Sequence, residues 1–200
     1  DWSSDVCSSD LDRVDLLPSQ PREWKQINSI TISFGHGVST TPLQTAVGAA
    51  ALVNGGKLIA PTFLTRSREQ ADQIAQVVVK KQTSDDIRHL FWLNGKSGSG
   101  KYALVEGFDV GGKTGTAEKV VNGRYSDDQN FNSYVAAFPI ENPQYLVLSF
   151  IDAPKTGEGG GRTAGLTAAP IVGEIIRRSA AILGVEPTFG EDGSALLVSY

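Results

Sequence analysis

What most restricts the folding of this chain is a strand-like alternation that carries four residues of distinctive chemistry at its centre. Phe108-Asp109-Val110-Gly111-Gly112 alternates apolar and polar up to its glycines, and Ala117 to Val121 resumes the pattern, so Lys113-Thr114-Gly115-Thr116 falls within a β-strand rather than a turn. Along a strand, residues two apart share a face, which puts Lys113 and Gly115 on one side and Thr114 and Thr116 on the other. The lysine brings a strongly hydrated point charge with three donors, suited to a carboxylate or to a nearby nucleophile's charge. Gly115 removes a Cβ where a second backbone can come close. At a sheet edge a peptide-like substrate can add as a further strand, and a backbone N–H there can donate to an oxyanion. The combination suits a carboxylate-bearing acyl substrate.

The flanking sequence predicts a helix-and-sheet domain. Thr41-Pro42-Leu43-Gln44 reads as a helix start, with Thr41 as N-cap, Pro42 at the first helical position and Gln44 closing a capping box. The run Leu43 to Val53 is apolar on all sides, predicting a buried helix that ends at Asn54-Gly55-Gly56. A second helix is expected from about Ser84 to Leu93, with Asp85 and Asp86 in its first turn, Ile87, Leu90 and Phe91 as its core set and Gly95 as its stop. Two strands follow the tetrad, near Ser133 to Phe138 and Tyr145 to Ile151. The turn Glu141-Asn142-Pro143-Gln144 between them implies an antiparallel hairpin. A last helix is expected over about Ala168 to Leu183, capped by Thr167, tolerating Pro170 in its first turn and ending at Gly184. Its apolar stripe would be Val172, Ile175, Ile176, Ser179, Ile182 and Leu183, covering one face of the sheet.

Several separated blocks carry a family resemblance. Gly112-Lys113-Thr114-Gly115-Thr116-Ala117-Glu118 with Tyr125, then Asn132-Ser133-Tyr134-Val135-Ala136-Ala137-Phe138-Pro139, resemble the class B penicillin-binding proteins. Ile32-Ser33-Phe34-Gly35-His36-Gly37-Val38, running into Thr41-Pro42-Leu43-Gln44, resembles the same group in the same order. The similarity covers roughly residues 16 to 187 and is nearest to the septal, division-specific peptidoglycan D,D-transpeptidases of Gram-negative bacteria.

The resemblance implies an α+β penicillin-recognising fold, also that of the serine β-lactamases, with an antiparallel five-stranded sheet between helical layers. This chain would supply three of the strands. Lys-Thr-Gly is the third motif of that family. By resemblance, Lys113 shapes the electrostatics between a serine nucleophile and the substrate carboxylate, and Thr114 and Thr116 offer hydroxyls to that carboxylate. Gly115 allows close approach, and the Thr116 amide is one oxyanion donor. The implied ligands are peptidoglycan stem peptides and β-lactams, with divisome membrane proteins contacting other parts of the parent and no cofactor. The implied location is the periplasmic face of the bacterial inner membrane.

The family's first motif, Ser-x-x-Lys, supplies the attacking serine and, three residues on along a helix, the lysine that takes its proton. No Ser-x-x-Lys occurs in the 200 residues. The second motif, Ser-x-Asn, normally also precedes Lys-Thr-Gly and is assigned to nothing here. The expectation is therefore the C-terminal part of a transpeptidase domain without its nucleophile, inactive alone. The alternative is a catalytically silent relative that uses the same cleft as a β-lactam sensor or peptide-binding module. Within the enzyme class, a transpeptidase fits the flanking blocks better than a β-lactamase does.

Composition enters at two points. Asp1 to Leu11 has neither a helical nor a strand period and reads as the in-frame translation of a common short-read sequencing adapter. This divides the chain into an artefact at 1–11, a transpeptidase-domain portion at 12–187 and a tail at 188–200. Without the three aspartates of the first segment the formal charge of −4 becomes −1, and without Cys7 no thiol remains. With His36 and His89 the only soft ligands left, no metal site is expected. Basic residues are scattered and aromatics few, so no nucleic-acid surface is expected. No apolar run reaches membrane-spanning length, and neither a signal peptide nor an anchor pattern is present. A sheet short of strands would expose edges and an apolar face, predicting poor solubility of the isolated chain.

Other residues invite functional readings that the sequence supports less well. Gly95-Lys96-Ser97-Gly98-Ser99-Gly100-Lys101 matches a phosphate-binding loop until Tyr102, where Ser or Thr should ligate magnesium, and it follows a helix rather than a strand. It reads instead as a flexible loop leading toward the tetrad. Lys155-Thr156-Gly157 repeats the triplet in a glycine-rich loop and lacks the strand context. His36 between glycines, the adjacent Asp127 and Asp128, and Arg162 after Gly159-Gly160-Gly161 read as structural or solvated, although Arg162 also suits orienting an anionic peptide. Trp24 reads as core packing.

Overall fold

The computed structural model describes residues 23–33, 38–121, 124–155 and 161–188, without the side chains of residues 120, 121, 124, 125, 127 and 128. Readings of residues 1–11, the Phe34 to Gly37 block with His36, Thr156 to Gly160, the tail from 189 on, and the side chains of Tyr125, Asp127 and Asp128 fall outside the described residues. In chain order the elements are α1 (Gln26–Ile32), α2 (Pro42–Val53), β1 (Lys57–Leu58), α3 (Arg68–Ile74), β2 (Gln76–Val77) and α4 (Lys81–Ser97). A 3-10 turn (Ser99–Ala103), β3 (Gly111–Val121), β4 (Arg124–Phe138), β5 (Tyr145–Asp152) and α5 (Ala164–Ser179) complete the order.

The capping box at α2 forms as its residues dictate. Thr41 Oγ1 accepts the Gln44 N–H at 3.1 Å, Gln44 Oε1 accepts the Thr41 N–H at 2.9 Å, and Pro42 occupies the first helical position. The helix is less enclosed than its composition predicts. Only Ala51 and Val53 are fully buried, because α2 meets α4 and the sheet along one side. Trp24 is also not core: it is 58% exposed, and its Nε1 donates to Ser29 Oγ at 2.9 Å across the start of α1.

Helix α4 begins earlier and ends later than the sequence suggests. Asp85 and Asp86 therefore sit in its second turn rather than the first, and Asp85 answers Lys81 at 2.6 Å and Arg88 at 2.7 Å instead of the helix dipole. Gly95 does not stop the helix. It is buried where α4 crosses the start of β3, and a Cβ there would lie 2.3 Å from the Val110 carbonyl oxygen. Glycine is needed for this close approach, and the helix continues through it to Ser97. Ile87 and Phe91 pack inward as expected, whereas Leu90 is 58% exposed.

Strands β3, β4 and β5 form an antiparallel sheet in that order, with Thr114 opposite Tyr134 and Ala136 opposite Val147. The hairpin between β4 and β5 is the one the Glu141 to Gln144 turn predicts. Helix α5 lies on the face bearing Tyr134, Ala136 and Phe138 of β4, all fully buried. It starts at Ala164, four residues before the expected start, so Pro170 lies within the helix and removes the N–H that would have bonded the Leu166 carbonyl.

The buried stripe of α5 is Ala164, Ala168, Val172 and Ile176, flanked by Gly165, Ala169 and Gly173. Small residues let the helix close on the 3-10 turn, where a Cβ at Gly173 would come within 3.1 Å of Ala103. Of the expected stripe, Val172 and Ile176 are buried, but Ile175 faces outward and Ile182 lies 86% exposed beyond the helix end. On the opposite sheet face Ala137 and Ile140 meet Val53, with Ile87, Phe91 and Trp92 packed around them. The architecture is thus α+β, an antiparallel sheet between helical layers, with three strands in the sheet.

Candidate active site at the sheet edge

All four tetrad residues lie on β3, the edge strand, and no strand pairs with its outer side among the described residues. Side chains of Thr114 and Thr116 face the α5 layer, in phase with Tyr134 and Asn132 opposite them, while Lys113 and Gly115 take the other face. The Gly112 carbonyl accepts Asn94 Nδ2 at 2.7 Å, and the Thr114 carbonyl accepts Lys113 Nζ at 2.5 Å. Backbone groups of 112 and 114 therefore point away from β4. By the alternation of an antiparallel ladder, the Thr116 amide does the same. The exposed Lys113 ammonium lies along this open edge.

Both threonine hydroxyls of the site have a partner. Thr116 Oγ1 accepts the Ala164 N–H at 3.0 Å, one of the orphan donors at the start of α5, where the N-cap Thr163 makes no side-chain cap. With that lone pair engaged, the Thr116 proton is available to an anion beside the strand. Thr114 Oγ1 lies 2.7 Å from Ser99 Oγ, in a contact where either hydroxyl can donate. A Cβ on Gly115 would fall 2.6 Å from Ser133 Oγ, a side-chain atom that can rotate aside. Gly115 therefore spares Ser133 a rotation as well as leaving the outer face open.

Two residues that the sequence reading passed over support this arrangement. Asn132, fully buried opposite Thr116, donates Nδ2 to the Arg162 carbonyl at 2.7 Å and to Thr167 Oγ1 at 2.8 Å, tying the entry of α5 to the site strand. Its Oδ1 is buried with no hydrogen-bond partner among the described residues. A polar residue immediately in phase with the apolar run Tyr134, Ala136 and Phe138 was the available signal. Ser99 is the second. The glycine-rich run around it is not a flexible loop but the end of α4 and the 3-10 turn, packed between β3 and α5.

Tyr134, beneath Thr114, directs its hydroxyl at the Gly100 carbonyl over a long 3.5 Å, and burial pushes its pKa up to about 12. The folded protein therefore holds its proton where an unfolded chain, with a tyrosine pKa near 10, releases it. Over about pH 10 to 12 the unfolded state binds fewer protons, so stability falls as pH rises through that window and is unaffected below it. Tyr134→Phe is expected to flatten this part of a stability-against-pH curve measured by chemical denaturation. An unchanged slope would remove Tyr134 as its source.

Two concavities lie away from the tetrad. A cavity of about 310 Å³ is lined by Asp85, Arg88, His89, Trp92, Ile140 and Glu141, and a groove of about 700 Å³ runs between Lys57, Arg66, Lys81 and Asn142. Neither includes a tetrad residue. The candidate site is an open strand edge rather than an enclosed pocket. Among the described residues no group of His, Cys, Asp and Glu is arranged to hold a metal.

The profile of the penicillin binding protein transpeptidase domain matches residues 15–177. The chain belongs to that family. Stage V sporulation protein D of Bacillus subtilis is 38% identical over an alignment 173 residues long that covers 80% of this chain and 26% of the relative. A probable peptidoglycan D,D-transpeptidase PenA of Neisseria flavescens is 35% identical over 84% of this chain and 40% of its own length. Among solved structures, the transpeptidase domain of penicillin-binding protein 3 from Burkholderia pseudomallei superposes with a TM-score of 0.74 at 27% identity, covering 85% of this chain and 51% of that one. The chain thus spans about a quarter to a half of the relatives it matches. The matched range includes the edge strand β3 and its tetrad.

Proposed function

We propose that this chain is the C-terminal part of a peptidoglycan D,D-transpeptidase that cross-links stem peptides through a serine acyl-enzyme and is acylated by β-lactams. The observation that carries the reading is the exposed Lys113 ammonium beside the outward-facing backbone of Thr114 and Thr116 on an unpaired strand edge. Membership of the transpeptidase family and the names of the relatives support it. On this reading a serine outside these residues attacks the acyl carbon of the stem peptide, and its proton passes to the lysine of its own Ser-x-x-Lys motif. The terminal amino acid leaves with a proton, and the amine of a second stem peptide then displaces the serine.

In this scheme the substrate adds along the strand edge, Thr114 and Thr116 offer hydroxyls to its carboxylate, and Lys113 shapes the electrostatics between that carboxylate and the serine. The Thr116 amide donates to the oxyanion, an interaction whose loss typically costs on the order of a hundredfold in rate. Gly115 leaves room for the incoming backbone. The reaction takes place outside the cytoplasm, at the periplasmic face of the inner membrane, with divisome membrane proteins engaging other parts of the parent. Among the described residues no helix is long and apolar enough to cross a membrane.

The test is covalent labelling by a fluorescent penicillin, followed by gel electrophoresis. The full-length protein is expected to label and the 200-residue chain to remain dark. Labelling of the 200-residue chain itself would show that a nucleophile within it had been overlooked, and a dark full-length protein would overturn the transpeptidase reading.

A further inference from the structure

The glycine-rich run after α4 plays no part in the function above, yet its geometry is closely determined. A Cβ on Gly98 would lie 2.2 Å from Asn94 Oδ1, and one on Gly100 would lie 2.7 Å from the Tyr134 hydroxyl. On the other side, a Cβ on Gly165 of α5 would lie 2.8 Å from the Ser99 carbonyl oxygen. Ser99 is thereby wedged between α4, β3 and α5 by contacts that only glycines permit. Its side chain stays exposed at the strand edge.

A line of polar groups runs through it. Asn94 Nδ2 donates to the Gly112 carbonyl at 2.7 Å, Ser99 Oγ donates to Asn94 Oδ1 at 3.3 Å, and Ser99 Oγ meets Thr114 Oγ1 at 2.7 Å. A hydroxyl has one proton to give. With Ser99 donating to Asn94, the Thr114 proton points at Ser99 and is withheld from any ligand.

We propose that Ser99 is a positioning residue that sets the donor direction of Thr114, turning this hydroxyl toward a ligand carboxylate. When an anion arrives beside Thr114, Ser99 rotates its O–H from Asn94 to Thr114 Oγ1, and the Thr114 proton turns to the carboxylate. No covalent bond changes; two hydroxyl rotors exchange partners. The partially exposed Asn94 amide oxygen turns to water, and Asn94 keeps its grip on Gly112 throughout. A donor behind Thr114 polarises the outgoing hydrogen bond, since chained hydrogen bonds strengthen one another. The device favours ligands with a free carboxylate over neutral ones of the same shape. It rests on the proposed function for the identity of the ligand, but the hydroxyl exchange itself needs only an anion.

The test compares acetyl-D-alanyl-D-alanine with its C-terminal amide, measuring non-covalent affinity for the full-length protein by ligand-observed NMR. Ser99→Ala leaves the Thr114 proton without its polarising donor and is expected to weaken binding of the acid about two- to fourfold, the scale of cooperative strengthening of one hydrogen bond to a charged group, while leaving the amide unchanged. Ser99→Thr, which keeps the hydroxyl, is expected to restore the preference for the acid. Equal weakening of both ligands would mark a merely structural serine and overturn the inference. So would unchanged affinity for the acid, or an unaltered protein that does not distinguish acid from amide. Fluorescent penicillin labelling of the same samples keeps the two ideas apart. Carboxylate selectivity lost in Ser99→Ala without any labelling upholds the relay and sinks the transpeptidase reading, and labelling without that selectivity does the reverse.

Discussion

Lys113→Ala in the full-length protein is expected to lower the second-order rate of acylation by penicillin by about a hundredfold or more, the scale seen when one preorganised electrostatic group is removed from a reacting centre. The lysine is exposed, and among the described residues its ammonium bonds only the carbonyl of the next residue, so the fold itself asks little of the side chain. The thermal midpoint should therefore stay within a degree or two while the rate collapses. Lys113→Arg separates charge from geometry: a planar fork on a longer stem keeps the charge but not the compact three-donor head, and should restore only part of the rate. Acylation at the original rate by the alanine variant would take Lys113 out of the mechanism.

Gly95→Ala should destabilise the protein by about 2 kcal/mol, although on an isolated helix the same change stabilises by about 1 kcal/mol. The sign is reversed by one contact, since the new methyl group would sit 2.3 Å from the Val110 carbonyl oxygen, a backbone atom that cannot rotate away. Helix α4 must lift from β3, and with it the Asn94 bond to Gly112 that borders the tetrad. The thermal midpoint is expected to drop by about 4 to 8 °C for a chain of this size. A variant as stable as the parent would mean that α4 and β3 have slack where they cross, and that glycine there is incidental.

These two positions also show what the sequence makes legible. Lys113 was visible because its strand context repeats at a period of two on both sides. The capping box at Thr41 and the turn at Asn142-Pro143 were visible because their chemistry is local. Gly95 misled for the same reason: a glycine near the end of an apolar pattern looks like a stop, and nothing local reveals the Val110 carbonyl oxygen 2.3 Å from where a Cβ would sit. The start of α5 was misplaced in like manner, because Thr167 reads locally as a cap while Thr163, the actual N-cap, makes no side-chain cap. Only the Thr116 hydroxyl, 48 residues earlier in the chain, takes up the Ala164 N–H and fixes the earlier start. Asn132 and Ser99 matter through partners 35 and 15 residues distant, and no window along the chain contains those pairs.

From its residues alone the chain determined its family, its strand and turn order, and the alternation that puts lysine and threonines on opposite faces of one strand. Periodicity and capping are properties of neighbours in sequence, and they survive without a folded context. Tertiary structure decided that the strand lies at an edge, that its even-numbered backbone groups face outward, that the Thr114 hydroxyl meets Ser99, and that Thr116 is held at its oxygen by the start of α5. Those are matters of which surfaces meet, settled by the packing of α4 and α5 on the two faces of the sheet, where a single methyl group more or less changes the approach of one backbone to another.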